Sequence, residues 1–150
     1  MKKLIAMLIM TVLFILIGCS NKEVTEESRT FKGENESWSG EYKVNLQLNT
    51  GVNENTINIY EGEKTNVLIL TYKKDVSNLS SIKRFKISYE SSLTGGSREG
   101  DYTKDNPLNE KVFILQCETN GIEIEKKDEI VKLTIASDGK VETIDLKNAN

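Results

Sequence analysis

The chain has 150 residues, room for about one domain, and its 20 Lys and Arg against 23 Asp and Glu leave a formal charge of -3, which excludes a generally basic nucleic-acid binder. It contains no histidine. That removes the commonest general base, the Ser-His and Cys-His nucleophile pairs, and the commonest metal ligand.

The amino end reads MKKLIAMLIM TVLFILIGC: Lys2 and Lys3, then an apolar run from Leu4 to Ile17 broken only by Thr11. As a helix these roughly 14 residues would cover about 21 Å, short of a ~30 Å hydrocarbon core, so the run is expected to be a signal-peptide apolar segment rather than a span. An A-x-A cleavage pattern is missing. Leu16-Ile17-Gly18-Cys19 stands in its place and resembles the bacterial lipobox. That motif implies cleavage after Gly18 and a diacylglyceryl group on the Cys19 thiol. Each buried CH₂ contributes about 0.8 kcal/mol and one chain anchors only marginally, so two chains on Cys19 would make a stable attachment to the membrane. Losing residues 1–18 takes away two lysines and no acid, so the charge of -3 becomes -5, a sign that gains nothing from anionic lipid or nucleic acid. No cofactor beyond the covalent lipid is expected.

Residues 20–30, SNKEVTEESRT, are polar and Glu-rich, the composition of a disordered stalk. The expected organisation is a signal peptide over 1–18, a lipidated cysteine with a flexible polar tether over 19–31, and a folded domain over 32–150. Glu23, Glu26 and Glu27 are expected to be solvated linker residues. At most about 3.5 Å per residue, the stalk would hold the domain up to roughly 40 Å from the lipid.

From Trp38 the pattern turns to strict alternation, with Trp38, Gly40, Tyr42, Val44, Leu46 and Leu48 on one face. Period two predicts a half-buried strand with a bulge at Gly40. Ile57 and Ile59 mark a short strand, Glu61 to Lys64 a turn, and Val67 to Tyr72 a strand in the middle of a sheet. Phe85, Ile87 and Tyr89 alternate with polar residues and predict another.

Two dipeptides then predict hairpins with type I′ turns: Asn120-Gly121, between VFILQCET and IEIE, and Asp138-Gly139, between IVKLTIAS and KVETIDL. Pairing outward from Asp138-Gly139 sets Leu133 opposite Ile144 and Val131 opposite Leu146, so the apolar residues share a face. The same pairing at Asn120-Gly121 sets Cys117 opposite Ile124 and Glu118 opposite Glu123. The expected fold is all-β: an Ig-like antiparallel β-sandwich of about seven or eight strands with Greek-key connections.

Cys117, with no histidine to activate it and apolar neighbours, is expected to be an inert core thiol. Glu118, Glu123 and Glu125, near Lys126 and Lys127, read as a solvated charged face; acid-base hydrolysis would need two carboxylates in a cleft with their titrations driven apart. The stretch Ser91 to Glu110 is expected to be a long loop. Its Arg98, Asp101 and Tyr102 are the candidate binding residues, because Arg and Tyr are enriched at binding hot spots and glycines let backbone approach a partner. Asp101 and Asp105 could offer oxygens to Ca²⁺, but their spacing fits no EF-hand, and no metal is expected. Trp38 and Tyr42 are expected in the core.

The Gly33-Glu34-Asn35-Glu36-Ser37-Trp38 lead into a strand, the Gly95-Gly96-Ser97 stretch and the closing hairpin from Lys132 to Leu146 resemble small uncharacterised lipoproteins of Bacillus-type Gram-positive bacteria. In such chains an aromatic commonly precedes the Asn-Gly or Asp-Gly turn; Ala136 and Ser137 stand there in this chain. The resemblance implies a cell-envelope protein with an Ig-like β-sandwich and supplies no catalytic residue. The expected function is therefore a lipid-anchored module on the extracellular face of the cell membrane. It would bind a protein or cell-wall partner and no nucleic acid. Two other functions are weighed beside it: an inhibitor or immunity-type lipoprotein whose loop blocks an extracellular enzyme, and a carboxylate-dependent hydrolase.

Overall fold

A computed structural model describes residues 22–53 and 56–149. In chain order its elements are β1 (Lys22–Glu34), β2 (Trp38–Asn53), β3 (Thr56–Tyr72), a 3-10 turn (Val76–Leu79), β4 (Arg84–Glu90), β5 (Gly95–Asp101), β6 (Val112–Asn120), β7 (Ile130–Ser137) and β8 (Lys140–Asn148). All pairings are antiparallel, in the order β5-β4-β7-β8-β1-β2-β3-β6. The expected all-β class and strand number hold. Both walls belong to one continuous sheet that rolls over until its edge strands meet, where the Arg98 guanidinium of β5 lies 5.8 Å from the Phe113 ring centroid of β6 and 2.9 Å from Glu110.

Alternation in β2 buries Trp38, Tyr42, Val44 and Leu46 on the inner face. At one end of the interior Trp38 meets Tyr72, Phe85 and Phe113 with ring centroids 4.7, 5.6 and 6.1 Å away. Each such ring buries about 150–250 Å², and at about 25 cal/mol per Å² this end supplies several kcal/mol per aromatic. Leu79 of the 3-10 turn is buried in the same core, and the Asp75 carboxylate caps that turn by accepting from Ser77 N at 2.9 Å.

Gly33 and Gly40 stand opposite each other in the β1–β2 register. A Cβ on Gly33 would lie 2.5 Å from the Asp145 carbonyl oxygen, and one on Gly40 2.6 Å from Leu133 Cδ2. The pair thus lets β7 and β8 cross tightly over β1 and β2. Gly40 is not the expected bulge: pairing runs through it unbroken, and the register shift comes at Asn49/Thr50.

The Asp138-Gly139 turn forms as expected, with φ of 46° and 84°, and Leu133 pairs with Ile144 and Val131 with Leu146. The Asp138 carboxylate also accepts from Arg84 N at 2.8 Å and Lys83 N at 3.1 Å, tying the turn to β4. These two bonds hold its pKa below the usual carboxylate value.

Four further expectations are corrected. The tether is strand from Lys22 onward, paired with β2 from Lys22↔Gly51 to Glu34↔Ser39, so residues 22–31 belong to the folded unit expected to begin at 32. One edge of its backbone is paired throughout with β2, and the side chains of 24–28 are exposed; polar composition did not forbid a ladder. The turn at Glu61 to Lys64 is part of β3, because Gly62, Lys64 and Asn66 continue the inward face of Leu68 and Leu70. The Asn120-Gly121 hairpin does not form. β6 pairs with β3 along its length, setting Cys117 opposite Asn66 and Glu118 opposite Thr65, while Gly121 N donates to Gly62 O at 3.0 Å. Ser91 to Glu110 is not a single loop either, since Ser91 N donates to Thr94 O at 2.8 Å and closes a β4–β5 hairpin.

Candidate functional site

The inner face of β3 changes character along its length. Read from the aromatic end, its ladder with β6 pairs Leu70 with Phe113, Leu68 with Leu115, Asn66 with Cys117 and Lys64 with Thr119. Each inward-facing pair lies about 7 Å beyond the last, so two steps lead from aliphatic packing to a polar end. Asn66 and Lys64 are both buried, with Lys64 at 5% exposure.

Glu125 enters this end from the segment between β6 and β7 and is wholly buried, at 0% exposure. Its Oε1 accepts from Tyr42 Oη at 2.7 Å and from Ser91 Oγ at 2.8 Å. Its Oε2 stands 3.8 Å from Lys64 Nζ, an ion pair too long for a hydrogen bond. Arg29, on the inner face of β1, donates to the Glu125 carbonyl oxygen and pairs with Glu27. Tyr42 Oη also lies 2.9 Å from Asn66 Oδ1. A hydroxyl has one proton, and the carboxylate is the stronger acceptor for it. Asn66 therefore has a polar group to spare in either orientation of its amide.

Burial, followed by the hydrogen bond to and charge of Glu125, pushes the Tyr42 pKa well above its ordinary value. Tyr89, whose ring centroid is 5.1 Å from that of Tyr42, is raised too, chiefly by burial and then by the neighbouring Cys117. Among protein atoms, Tyr89 Oη, Glu125 Oε2, Thr119 Oγ1 and Asn66 Nδ2 are buried without a hydrogen-bond partner. Such a group costs about 1–3 kcal/mol when left unsatisfied, and four at one end of a barrel single out that end.

Two contacts hold the Glu125 segment in place. The Glu129 carboxylate accepts from Ser92 N and, at 2.9 Å, from Ser92 Oγ, and Gly62 and Gly121 meet backbone to backbone with no room for a Cβ on Gly62. Beside the segment an open cavity of about 480 Å³ is lined by Lys64, Leu93, Thr119, Asn120, Gly121, Ile122 and Glu123. Its rim is apolar where Leu93 is 40% and Ile122 57% exposed. This is the mouth of the barrel, where a buried lysine and a threonine with an unpartnered hydroxyl share one cavity lining with two exposed aliphatic side chains.

The sequence-predicted binding residues do not converge. Arg98 braces the seam between β5 and β6 through Glu110 and Phe113, Asp101 accepts from Arg84 Nε at 3.1 Å, and Tyr102 packs partly buried against the core. A Cβ on Gly96 would lie 2.7 Å from the Tyr89 ring, so this glycine makes room for an aromatic. Glu118 and Glu123 are exposed as expected, but not opposite each other. Cys117, expected in the core, is a half-buried free thiol paired across the ladder with Asn66. Among the described residues no group of three Cys, Asp or Glu is placed to hold a metal. Gly18 and Cys19 lie outside the described residues.

Lys64 and Asn66 were missed, and Glu125, expected on a solvated face with Glu118 and Glu123, is instead wholly buried. The period-two face of Leu68, Leu70 and Tyr72, continued backward, passes through Asn66 and Lys64 and would have found both. Glu125 had no such signal, because Glu123 shares its parity in IEIE. No protein-family model, curated protein sequence or solved structure matches the chain.

Proposed function

We propose that the chain is an exported lipoprotein, anchored through Cys19 to the outer face of the cytoplasmic membrane, and that its β domain acts as a binding module through the mouth at Lys64 and Thr119. The anchor is supported by the basic start, the apolar run and the Leu16 to Cys19 motif. The observation that carries the binding reading is the mouth itself, an open cavity of about 480 Å³ with a 5%-exposed lysine in its wall. Concave sites of a few hundred Å³ with apolar walls and a few placed polar groups are the usual form of ligand sites.

The position of β1 sharpens the reading. Lys22 comes three positions after Cys19, a link of about 10 Å at full extension. Lys64 is level with Leu46, and Leu46 with Glu27, so the strand from Glu27 back to Lys22 extends about 17 Å beyond the mouth. The mouth is therefore on the end of the barrel nearer the anchor.

Metabolic labelling with alkyne-palmitate tests the anchor. The wild-type chain is expected to carry label and to stay with membranes, and Cys19→Ala to lose both. Label persisting on Cys19→Ala, or absent from wild type, would remove the anchored reading.

A further inference from the structure

We infer that the mouth binds a carboxylate carried on an apolar chain, with the carboxylate on Lys64 and Thr119 and the chain between Leu93 and Ile122. This deepens the binding-module reading and rests on it.

The argument starts from unanswered donors. Lys64 is buried, yet its one carboxylate contact among the described residues, Glu125 Oε2, is 3.8 Å away, and the other Glu125 oxygen already accepts from Tyr42 and Ser91. Thr119, directly opposite Lys64 in the ladder, has a buried hydroxyl without a partner. An ammonium and a hydroxyl side by side call for oxygen acceptors. A charged acceptor is favoured because Lys64 is buried while Glu125, its counter-charge, is held by Tyr42 and Ser91 and stands too far for a hydrogen bond; the partly exposed Arg29 is answered by Glu27 and the Glu125 carbonyl. The acids around the opening, Glu63, Glu118 and Glu123, are exposed to solvent, where water and salt screen them. Leu93 and Ile122 line the same cavity and are exposed. The complement of such a wall is an anion with an aliphatic tail.

Two sources present that chemistry, the carboxyl terminus of a peptide with an apolar last residue and a fatty acid. The second would find the mouth on the anchor side of the domain.

The test uses the full chain in detergent micelles, followed by backbone amide shifts during titration with four probes: N-acetyl-leucine, hexanoate and their amides, N-acetyl-leucinamide and hexanamide. At least one acid is expected to shift Lys64 and residues 119–123, and to bind about tenfold more tightly than its amide, the value of one charge-assisted hydrogen bond. The tighter acid identifies the source. Lys64→Met should abolish the effect. Because that change leaves Glu125 without its cation and can unfold the domain, Thr119→Val and Ile122→Glu are titrated as well; both lie at the opening and should weaken the acid while leaving the rest of the spectrum in place. Acid and amide binding alike, neither acid shifting the mouth, or Thr119→Val and Ile122→Glu both binding as wild type would overturn the assignment. The anchored reading is decided separately, by palmitate on Cys19.

Discussion

Tyr42 and Glu125, 83 positions apart in the chain, share a 2.7 Å hydrogen bond at the polar end of the barrel. The bond joins the long second strand to a segment without regular structure, and it puts a wholly buried carboxylate behind Lys64. Around it the interior changes from aromatic packing, which supplies stability, to polar groups only partly satisfied by the protein. The proposed function draws on that contrast.

The buried pair is expected to behave as a unit. Glu125→Leu removes the acceptor of Tyr42 and Ser91 and leaves Lys64 buried without a counter-charge, a change expected to cost about 3–5 kcal/mol in urea denaturation. Adding Lys64→Met should recover much of that loss, since an apolar pair of similar volume avoids the stranded charge. If the double variant were less stable than Glu125→Leu, the pairing of the two residues would be wrong.

Stability should fall on the alkaline side. Tyr42 and Tyr89 have pKa values raised by folding, while an unfolded tyrosine ionises near pH 10. Their contribution is complete below that value. Above it the unfolded chain sheds protons that the folded chain keeps, and stability drops by up to about 1.4 kcal/mol per pH unit for each tyrosine. Urea midpoints between pH 8 and 11.5 should show the fall, and Tyr42→Phe, less stable at neutral pH, should show a shallower one. Equal slopes would mean that Tyr42 ionises as readily in the folded protein.

The facing glycines differ in what they exclude. A Cβ on Gly33 meets the Asp145 backbone oxygen, whereas one on Gly40 meets the Leu133 and Leu146 methyls, which can turn away. Both alanine variants overpack, at a typical cost of about 1–3 kcal/mol, and Gly33→Ala should melt at the lower temperature. The reverse order would show that β8 gives way more easily than the leucine side chains.

Much of this fold was legible where local pattern and tertiary partner agree. Trp38, Tyr42, Val44 and Leu46 alternate because one face of β2 is core, and Asp138-Gly139 makes its turn because both residues take positive φ. Legibility failed where a distant partner decided the outcome. Lys22 to Thr30 looks like a stalk because its residues are polar, but the ladder to β2 depends on backbone rather than side chains. Asn120-Gly121 had the composition of a hairpin, yet β3 was the better partner for β6, and Gly121 closed against Gly62 instead. The candidate site was the least legible part. Lys64, Ser91 and Glu125 meet only through folding, and charged residues at such positions read as solvated until the strand period is carried past them.

The central claim is that this domain binds through its Lys64–Thr119 mouth, and amide-shift mapping with a mixed library of small organic fragments tests it most directly. With the full chain in detergent micelles, the account predicts that fragment-induced shifts cluster at residues 64, 93 and 119–123. Shifts concentrated instead on the acidic groove of Glu26, Gln47 and Glu63, or on the hollow of Ser88, Gly96 and Lys132, would contradict it.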